Sequence, residues 1–76
     1  MSAEYLFVRG APPSLLTELQ ALCSAEEVLS ARWGQDALGR ERCTLTLSAP
    51  SPSAVAALRE RVHRHCRARG WRSFTV

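Results

Sequence analysis

Four segments of the chain have a pattern that predicts a β-strand. In each, apolar and polar residues alternate or apolar residues form a short run. The four segments are residues 4–9, 28–33, 43–47 and 71–76. In the third segment Cys43, Leu45 and Leu47 alternate with Thr44 and Thr46. This period of two is typical of a strand with one buried face and one exposed face.

Two other segments have the three- and four-residue spacing of apolar residues that indicates an amphipathic helix. The first begins after two prolines at positions 12 and 13 and carries an apolar stripe on a helix of about ten residues. We expect this helix to end near Ser24 or Ala25. Its stripe consists of Leu15, Leu16, Leu19, Leu22 and Cys23.

The second helix has residues typical of helix boundaries at both ends. Ser51 can cap its N-terminus, Pro52 can occupy its first turn, and Gly70 can end it in the left-handed conformation. The buried stripe predicted for this helix is Val55, Leu58, Val62 and Cys66.

The elements therefore follow the order β-α-β-β-α-β, which predicts an α+β fold of the ferredoxin-like sandwich type as a single domain over residues 1–76. The first and third strands are expected side by side in the middle of a four-stranded antiparallel sheet. Both helices should then cover one face of that sheet.

The uncovered face of such a sheet meets water or a partner. We expect Tyr5, Phe7, Thr44 and Thr46 on this face as a possible interface, joined by Trp71 or Phe74. Exposed aromatic residues favour a second sheet or unstacked bases as the partner. An RNA-recognition motif carries aromatic residues on its third strand where this chain has threonines, so an interface is the favoured interpretation.

Composition and charge narrow the function classes. The chain has 76 residues, ten arginines, no lysine and a net charge of +3. Six of the arginines and both histidines fall within residues 59–72, which indicates either a solvated helix face or a nucleic-acid-binding patch around Arg64 and Arg67. So short a chain buries only about 60% of its unfolded surface, which favours a homodimer.

Catalytic and metal-binding patterns are weak. Cys23, Cys43 and Cys66 are widely spaced and form no CxxC pair, so a zinc ribbon is not predicted. His63 lies three residues before Cys66 on one side of the second helix. A soft-metal site at these residues, with Cys43 or Cys23 as a further ligand, is therefore an alternative. We expect no enzymatic activity, no metal and no cofactor, since the packing stripe accounts for Cys66.

The chain has no apolar run of the roughly 20 residues needed to span a bilayer, so no membrane association is expected. Its N-terminal residues have an acid before a short apolar run and no basic region. That pattern is not typical of a signal peptide, so a cytoplasmic location is expected.

The first strand-to-helix junction resembles that of an ACT domain. Arg9-Gly10 precedes Pro13-Ser14-Leu15-Leu16, which is similar to the D-R-P-G-L-L motif of that family. The segments CTLTLSAP and AVAALRERV are also similar to the regulatory ACT repeats of bacterial phosphoserine phosphatases. The resemblance covers the whole chain in its order of elements.

The resemblance implies a regulatory dimer that binds an amino acid near the first loop and a dimer interface. The implied ligand-binding residues are Arg9, Gly10, Ser14, Leu15 and Leu16. Backbone N–H groups at the start of the first helix would hold the ligand's carboxylate. Arg9 would add a charge-assisted hydrogen bond.

Overall fold

The computed structural model describes residues 1–76 as four strands and two helices in the order β-α-β-β-α-β. The strands are β1 (Ser2–Arg9), β2 (Val28–Gln35), β3 (Glu41–Ala49) and β4 (Arg72–Thr75). The helices are α1 (Leu15–Gln20) and α2 (Pro52–Arg69). Neither helix is long and apolar enough to cross a membrane.

The four strands form one antiparallel sheet in the order β2-β3-β1-β4. The prediction of an α+β fold is confirmed, and β1 and β3 are the two central strands. Leu6 on β1 lies opposite Leu45 on β3, and Phe7 lies opposite Thr44. This register points Leu6 and Leu45 to one side of the sheet and their chain neighbours to the other, because successive side chains alternate.

One hydrophobic core holds the sheet and both helices together. Its 14 buried residues include the predicted stripe of α2 and the predicted inward residues of β3. Leu15 and Leu19 of α1 belong to the same cluster, so both helices pack on the same face of the sheet. Every buried residue is apolar or cysteine, and none carries a charge.

Helix α2 begins and ends where its terminal residues predict. The Ser51 hydroxyl accepts a hydrogen bond from the backbone N–H of Ala54 at 3.2 Å. Pro52 occupies the first helical position, where its missing N–H has no intrahelical partner to lose. Gly70 has φ of 78°, and Trp71 donates its backbone N–H to Cys66 O at 2.8 Å. These bonds satisfy the terminal carbonyl groups and turn the chain into β4.

Helix α1 is shorter than predicted: the ten-residue expectation is wrong, and the helix ends at Gln20 after six residues. The backbone beyond it is satisfied outside the helix. Leu22 donates its N–H to Leu19 O in a tight turn, and its own carbonyl accepts from Arg61 at 2.8 Å. Leu22 and Cys23 still pack partly against the core, so their apolar character reflects burial in a turn.

The side of the sheet away from the helices, here called the open sheet face, contains the outward residues of all four strands. Tyr5, Phe7, Thr44 and Thr46 lie on it as predicted. Phe74 pairs with Phe7 and joins them. Trp71 does not, because its indole is buried in the core on the helix side, with 7% of its surface exposed.

Because Leu45 lies in the core and Leu38 does not, replacing each with alanine should change the free energy of unfolding by very different amounts. Leu45→Ala removes a fully buried side chain, and we expect the free energy of unfolding to fall by about 2–5 kcal/mol. Leu38→Ala removes a side chain that is 75% exposed, and its effect should stay within about 0.5 kcal/mol. Urea unfolding of the two variants measures both values, and similar losses would contradict the described packing.

Candidate functional site

The first loop connects β1 to α1 and closes on its own backbone. Gly10 has φ of 78°, a left-handed conformation that glycine adopts without strain. Leu15 donates its backbone N–H to Pro12 O at 3.0 Å. Pro12 and Pro13 have no N–H to offer, so the loop presents few backbone donors to a ligand.

The five residues that the resemblance implied for ligand binding are divided between the loop and the core. Leu15 is completely buried and Leu16 packs partly against the core. Arg9 forms an ion pair with Asp36. The Ser14 hydroxyl donates to Glu18 at 3.4 Å and does not cap the helix. Ligand binding by these residues stays a prediction.

A cleft of about 430 Å³ lies beside the first loop, on the helix side of the sheet. One wall is the loop and the other is the end of β2 with the first residue of β3. The lining residues are Ala11, Pro13, Trp33, Gly34, Gln35 and Glu41. The ACT resemblance predicted a ligand next to this loop, but no sequence pattern indicated that β2 would supply the second wall.

Two side chains determine what the cleft can bind, namely the indole ring of Trp33 and the carboxylate of Glu41. The Trp33 side chain is 45% exposed, although its position on β2 faces the helix side. Glu41 is exposed and takes part in no ion pair. An unpaired carboxylate beside an exposed indole suits a ligand with an ammonium group and an apolar part.

Asp36 holds the β2–β3 hairpin that forms one wall of the cleft. Its carboxylate accepts the backbone N–H groups of Leu38 and Arg40 at 2.9 and 3.0 Å. It also pairs with the guanidinium groups of Arg40 and Arg9. Burial raises the pKa of Asp36. The two backbone N–H groups and the two arginines together lower it by more than burial raises it, so the net shift of this pKa is downward.

The open sheet face carries a contiguous group of aromatic rings and arginines. The Phe7 and Phe74 rings lie 5.6 Å apart at an interplanar angle of 63°. The guanidinium carbon of Arg42 lies 3.9 Å from the centre of the Phe7 ring, and that of Arg9 lies 5.7 Å from the Phe74 ring. Tyr5, with 54% of its surface exposed, lies two residues before Phe7 on the same face.

Most arginines of α2 are already bound to carboxylates. Arg59 pairs with Glu4, Arg61 with Glu27, and Arg69 with Glu18. These pairs connect α2 to β1, to the segment before β2 and to α1. Of the α2 arginines, Arg64 and Arg67 form no ion pair. The predicted nucleic-acid patch on α2 is therefore reduced to these two side chains.

The cysteines and histidines have structural partners. Burial raises the thiol pKa of Cys23, Cys43 and Cys66, which leaves little thiolate for nucleophilic attack or metal binding. His63 contacts the Ser73 hydroxyl at 2.6 Å, and His65 contacts Glu18 at 3.1 Å. No group of three or more His, Cys, Asp or Glu side chains is placed to hold a metal ion.

Comparison with family models, curated proteins and solved structures found no match for this chain. The functional inference therefore depends on the geometry. Trp33, Glu41 and Arg42 were not predicted as functional residues from the sequence. For Arg42 a signal existed, since it lies two residues before Thr44 in the alternating pattern and so shares its face.

The charge on Asp36 predicts a pH-dependent contribution to stability. Because its folded-state pKa is below the unfolded value of about 3.9, the stabilisation is present above that value and disappears as the pH falls through the folded-state pKa. We expect Asp36→Asn to unfold at lower urea than the wild type at neutral pH, with the difference shrinking towards about pH 2.

The matched control is Glu26→Gln, which removes an exposed carboxylate with no ion pair and should match the wild type at every pH. An Asp36→Asn difference as large in acid as at neutral pH would show that the charge is not responsible.

Proposed function

We propose that this chain is a non-catalytic, ACT-like regulatory module with a ferredoxin-like arrangement, which binds an amino acid or a related amine as a homodimer. The observation that carries this proposal is the cleft between the first loop and strand β2. The order of elements and the packing of both helices on one sheet face support the fold assignment.

The lining of the cleft supports an amine as the ligand. Glu41 supplies the negative charge for an ammonium group, and Trp33 supplies an apolar and cation-attracting surface. No arginine lines the cleft. The ligand's carboxylate, if it has one, would therefore point towards solvent or towards the Gln35 amide, whose N–H groups can donate to it.

The position of β2 supports a dimer that includes the cleft. β2 is an edge strand of eight residues, so one side of its backbone has no strand partner. Pairing of two β2 edges from two copies would satisfy those groups and extend the sheet. Trp33, Gly34 and Gln35 belong to both β2 and the cleft, so the ligand would then lie next to the subunit interface.

A regulatory role without catalysis agrees with the state of the nucleophiles. Cys43 and Cys66 are completely buried and have raised thiol pKa values because of that burial. Their burial separates them from the cleft. A catalytic role would need a nucleophile or base aligned with partners in an accessible site.

Ligand binding is tested by isothermal titration of the chain with the common amino acids and simple amines. We expect heat from at least one of them, and an affinity about tenfold lower for Glu41→Gln, since a hydrogen bond to a charged group contributes on the order of 1.5 kcal/mol. Trp33→Ala should weaken binding as well, and the control Glu26→Gln should leave it unchanged.

Absence of heat and of a thermal shift with every compound would contradict a ligand in the cleft. Binding that is equal in wild type and Glu41→Gln would contradict the amine assignment, because it would remove the carboxylate from the site.

The dimer is tested by hydrogen exchange at two protein concentrations. We expect the backbone N–H groups of residues 28–35 that face away from β3 to exchange more slowly at high concentration, because pairing of β2 edges protects them. The N–H groups of β4, at the opposite edge, serve as the internal control and should not change. A chain that sediments as a monomer at millimolar concentration would contradict the proposal.

A further inference from the structure

Charge is distributed unevenly between the two faces of the sheet. Arg9, Arg32, Arg42 and Arg72 have outward positions on four different strands. No strand places a carboxylate there: Glu4 and Glu41 occupy positions whose register faces the helix side. Asp36, in the adjoining hairpin, is the acidic group that reaches this region, and it is bound to Arg9 and Arg40.

Three of the four arginines on the open sheet face have no carboxylate partner: Arg32, Arg42 and Arg72. Arg32 and Arg72 are also solvent-exposed. Elsewhere in the chain four of the six arginines form ion pairs with acids, namely Arg40, Arg59, Arg61 and Arg69. The open sheet face is thus a positively charged surface whose charge is not neutralised within the chain, and its partner should be anionic.

The register places these arginines beside the aromatic rings. Arg72 on β4 lies opposite Arg9 on β1. Arg9 follows Val8 and Arg42 precedes Cys43, and Val8 pairs with Cys43, so Arg9 and Arg42 lie next to each other at the same end of the sheet. The neighbouring row across the sheet contains Arg32, Thr44, Phe7 and Phe74. Three arginines, Arg9, Arg42 and Arg72, therefore lie in the row next to the two phenylalanine rings, and Arg32 lies at the end of the row that contains those rings.

A second copy of the chain does not fit this face. In a face-to-face dimer with two-fold symmetry the same surface is used by both subunits, so the unpaired arginines of one copy would approach those of the other. The face offers no carboxylate beyond Asp36 to offset that repulsion. An interface through Tyr5, Phe7, Thr44 and Thr46 is thus better suited to an anionic partner that also has planar groups.

Unstacked nucleotides provide both properties. A base can stack on an aromatic ring or on a guanidinium plane, and its phosphate can bind an arginine. In a duplex the bases are stacked on one another, so a flat sheet with exposed rings suits a single strand. The hydroxyl groups of Thr44, Thr46 and Ser30 lie among the rings and can hydrogen-bond the 2′-hydroxyl that distinguishes RNA from DNA.

We propose that the open sheet face binds single-stranded RNA. One base stacks on the guanidinium of Arg42, which is supported from beneath by the Phe7 ring. A second base stacks on the exposed ring of Tyr5. Arg32 and Arg72, on the two outer strands, bind phosphates on either side of these bases.

This binding site is separate from the amine cleft. Trp33, Gln35 and Glu41 have register positions on the helix side of the sheet, whereas Arg32 and Arg42 face the other side. Failure of amine binding therefore leaves the RNA proposal intact, and failure of RNA binding leaves the cleft intact.

The test is fluorescence anisotropy with a labelled RNA of mixed sequence and about ten nucleotides, within the range covered by single-stranded binding domains. The DNA of the same sequence and a duplex RNA are measured beside it. We expect the single-stranded RNA to bind most tightly. The two phosphate contacts, made by Arg32 and Arg72, predict a slope of about −1.4 for log affinity against log salt concentration, since each contributes about −0.7 for a single strand.

Substitutions distinguish the two charged surfaces of the chain. Arg32→Ala and Arg72→Ala should each weaken binding and reduce the salt slope by about 0.7. Arg64→Ala and Arg67→Ala remove the same charge from α2, where neither arginine has an acidic partner, and should leave both quantities unchanged. Equal losses from both pairs would overturn the sheet-face assignment.

Loss of the stacking surfaces is tested with Tyr5→Ala and Arg42→Ala. Each should lower affinity about tenfold, the size expected for one base stack. Phe7→Leu keeps an apolar side chain beneath Arg42 and removes the ring that supports the guanidinium, so it should also weaken binding. Unchanged affinity in Tyr5→Ala and Arg42→Ala would overturn the role of stacking.

Three further outcomes would contradict the proposal. No anisotropy change at low salt would exclude RNA as a ligand. Equal affinity for DNA of the same sequence would remove the 2′-hydroxyl from recognition and contradict the assignment to RNA. Competition by polyglutamate as effective as that by unlabelled RNA would show a surface for any polyanion, including an acidic protein segment.

Discussion

The alternation of side chains along β3 is the constraint on which the rest of the molecule depends. Cys43, Leu45, Leu47 and Ala49 are completely buried, and the residues between them face the other way. Because β3 lies between β1 and β2 and pairs with both along most of its length, its register determines which face of each neighbour is buried. A one-residue shift in β3 would exchange its core for its exposed face.

One-sided burial also explains how the charges are arranged. The helix side carries the core, and the carboxylates lie at its margin, where they form ion pairs with arginines of α2. These ion pairs are partly exposed, and such pairs stabilise a protein by at most about 1 kcal/mol. They connect α2 to β1 and to the segments around α1. They thus use the carboxylates of this side, and on the other side three of the four arginines have no carboxylate partner.

The parts of the fold that were predictable from sequence are those set by local periodicity and by terminal residues. The alternation in β3 and the Ser51, Pro52 and Gly70 boundaries of α2 are confirmed. The length of α1 was not predictable, because Leu22 and Cys23 continue an apolar spacing but lie in a turn fixed by Arg61 from a distant helix. Of the two walls of the cleft, the first loop was selected from the sequence, because its residues are contiguous in the chain. The wall that contains Trp33 was not, because it depends on how β2 and the first loop meet in three dimensions.

The three free thiols differ in how deeply they are buried, so they should react with a thiol reagent at different stages of unfolding. Cys43 and Cys66 are fully enclosed in the core, whereas Cys23 lies partly exposed in the turn after α1. An alkylating reagent reaches Cys23 by a small local opening, and it reaches the other two when the core itself separates. The order in which the thiols are modified therefore distinguishes loosening of the short first helix from unfolding of the whole chain.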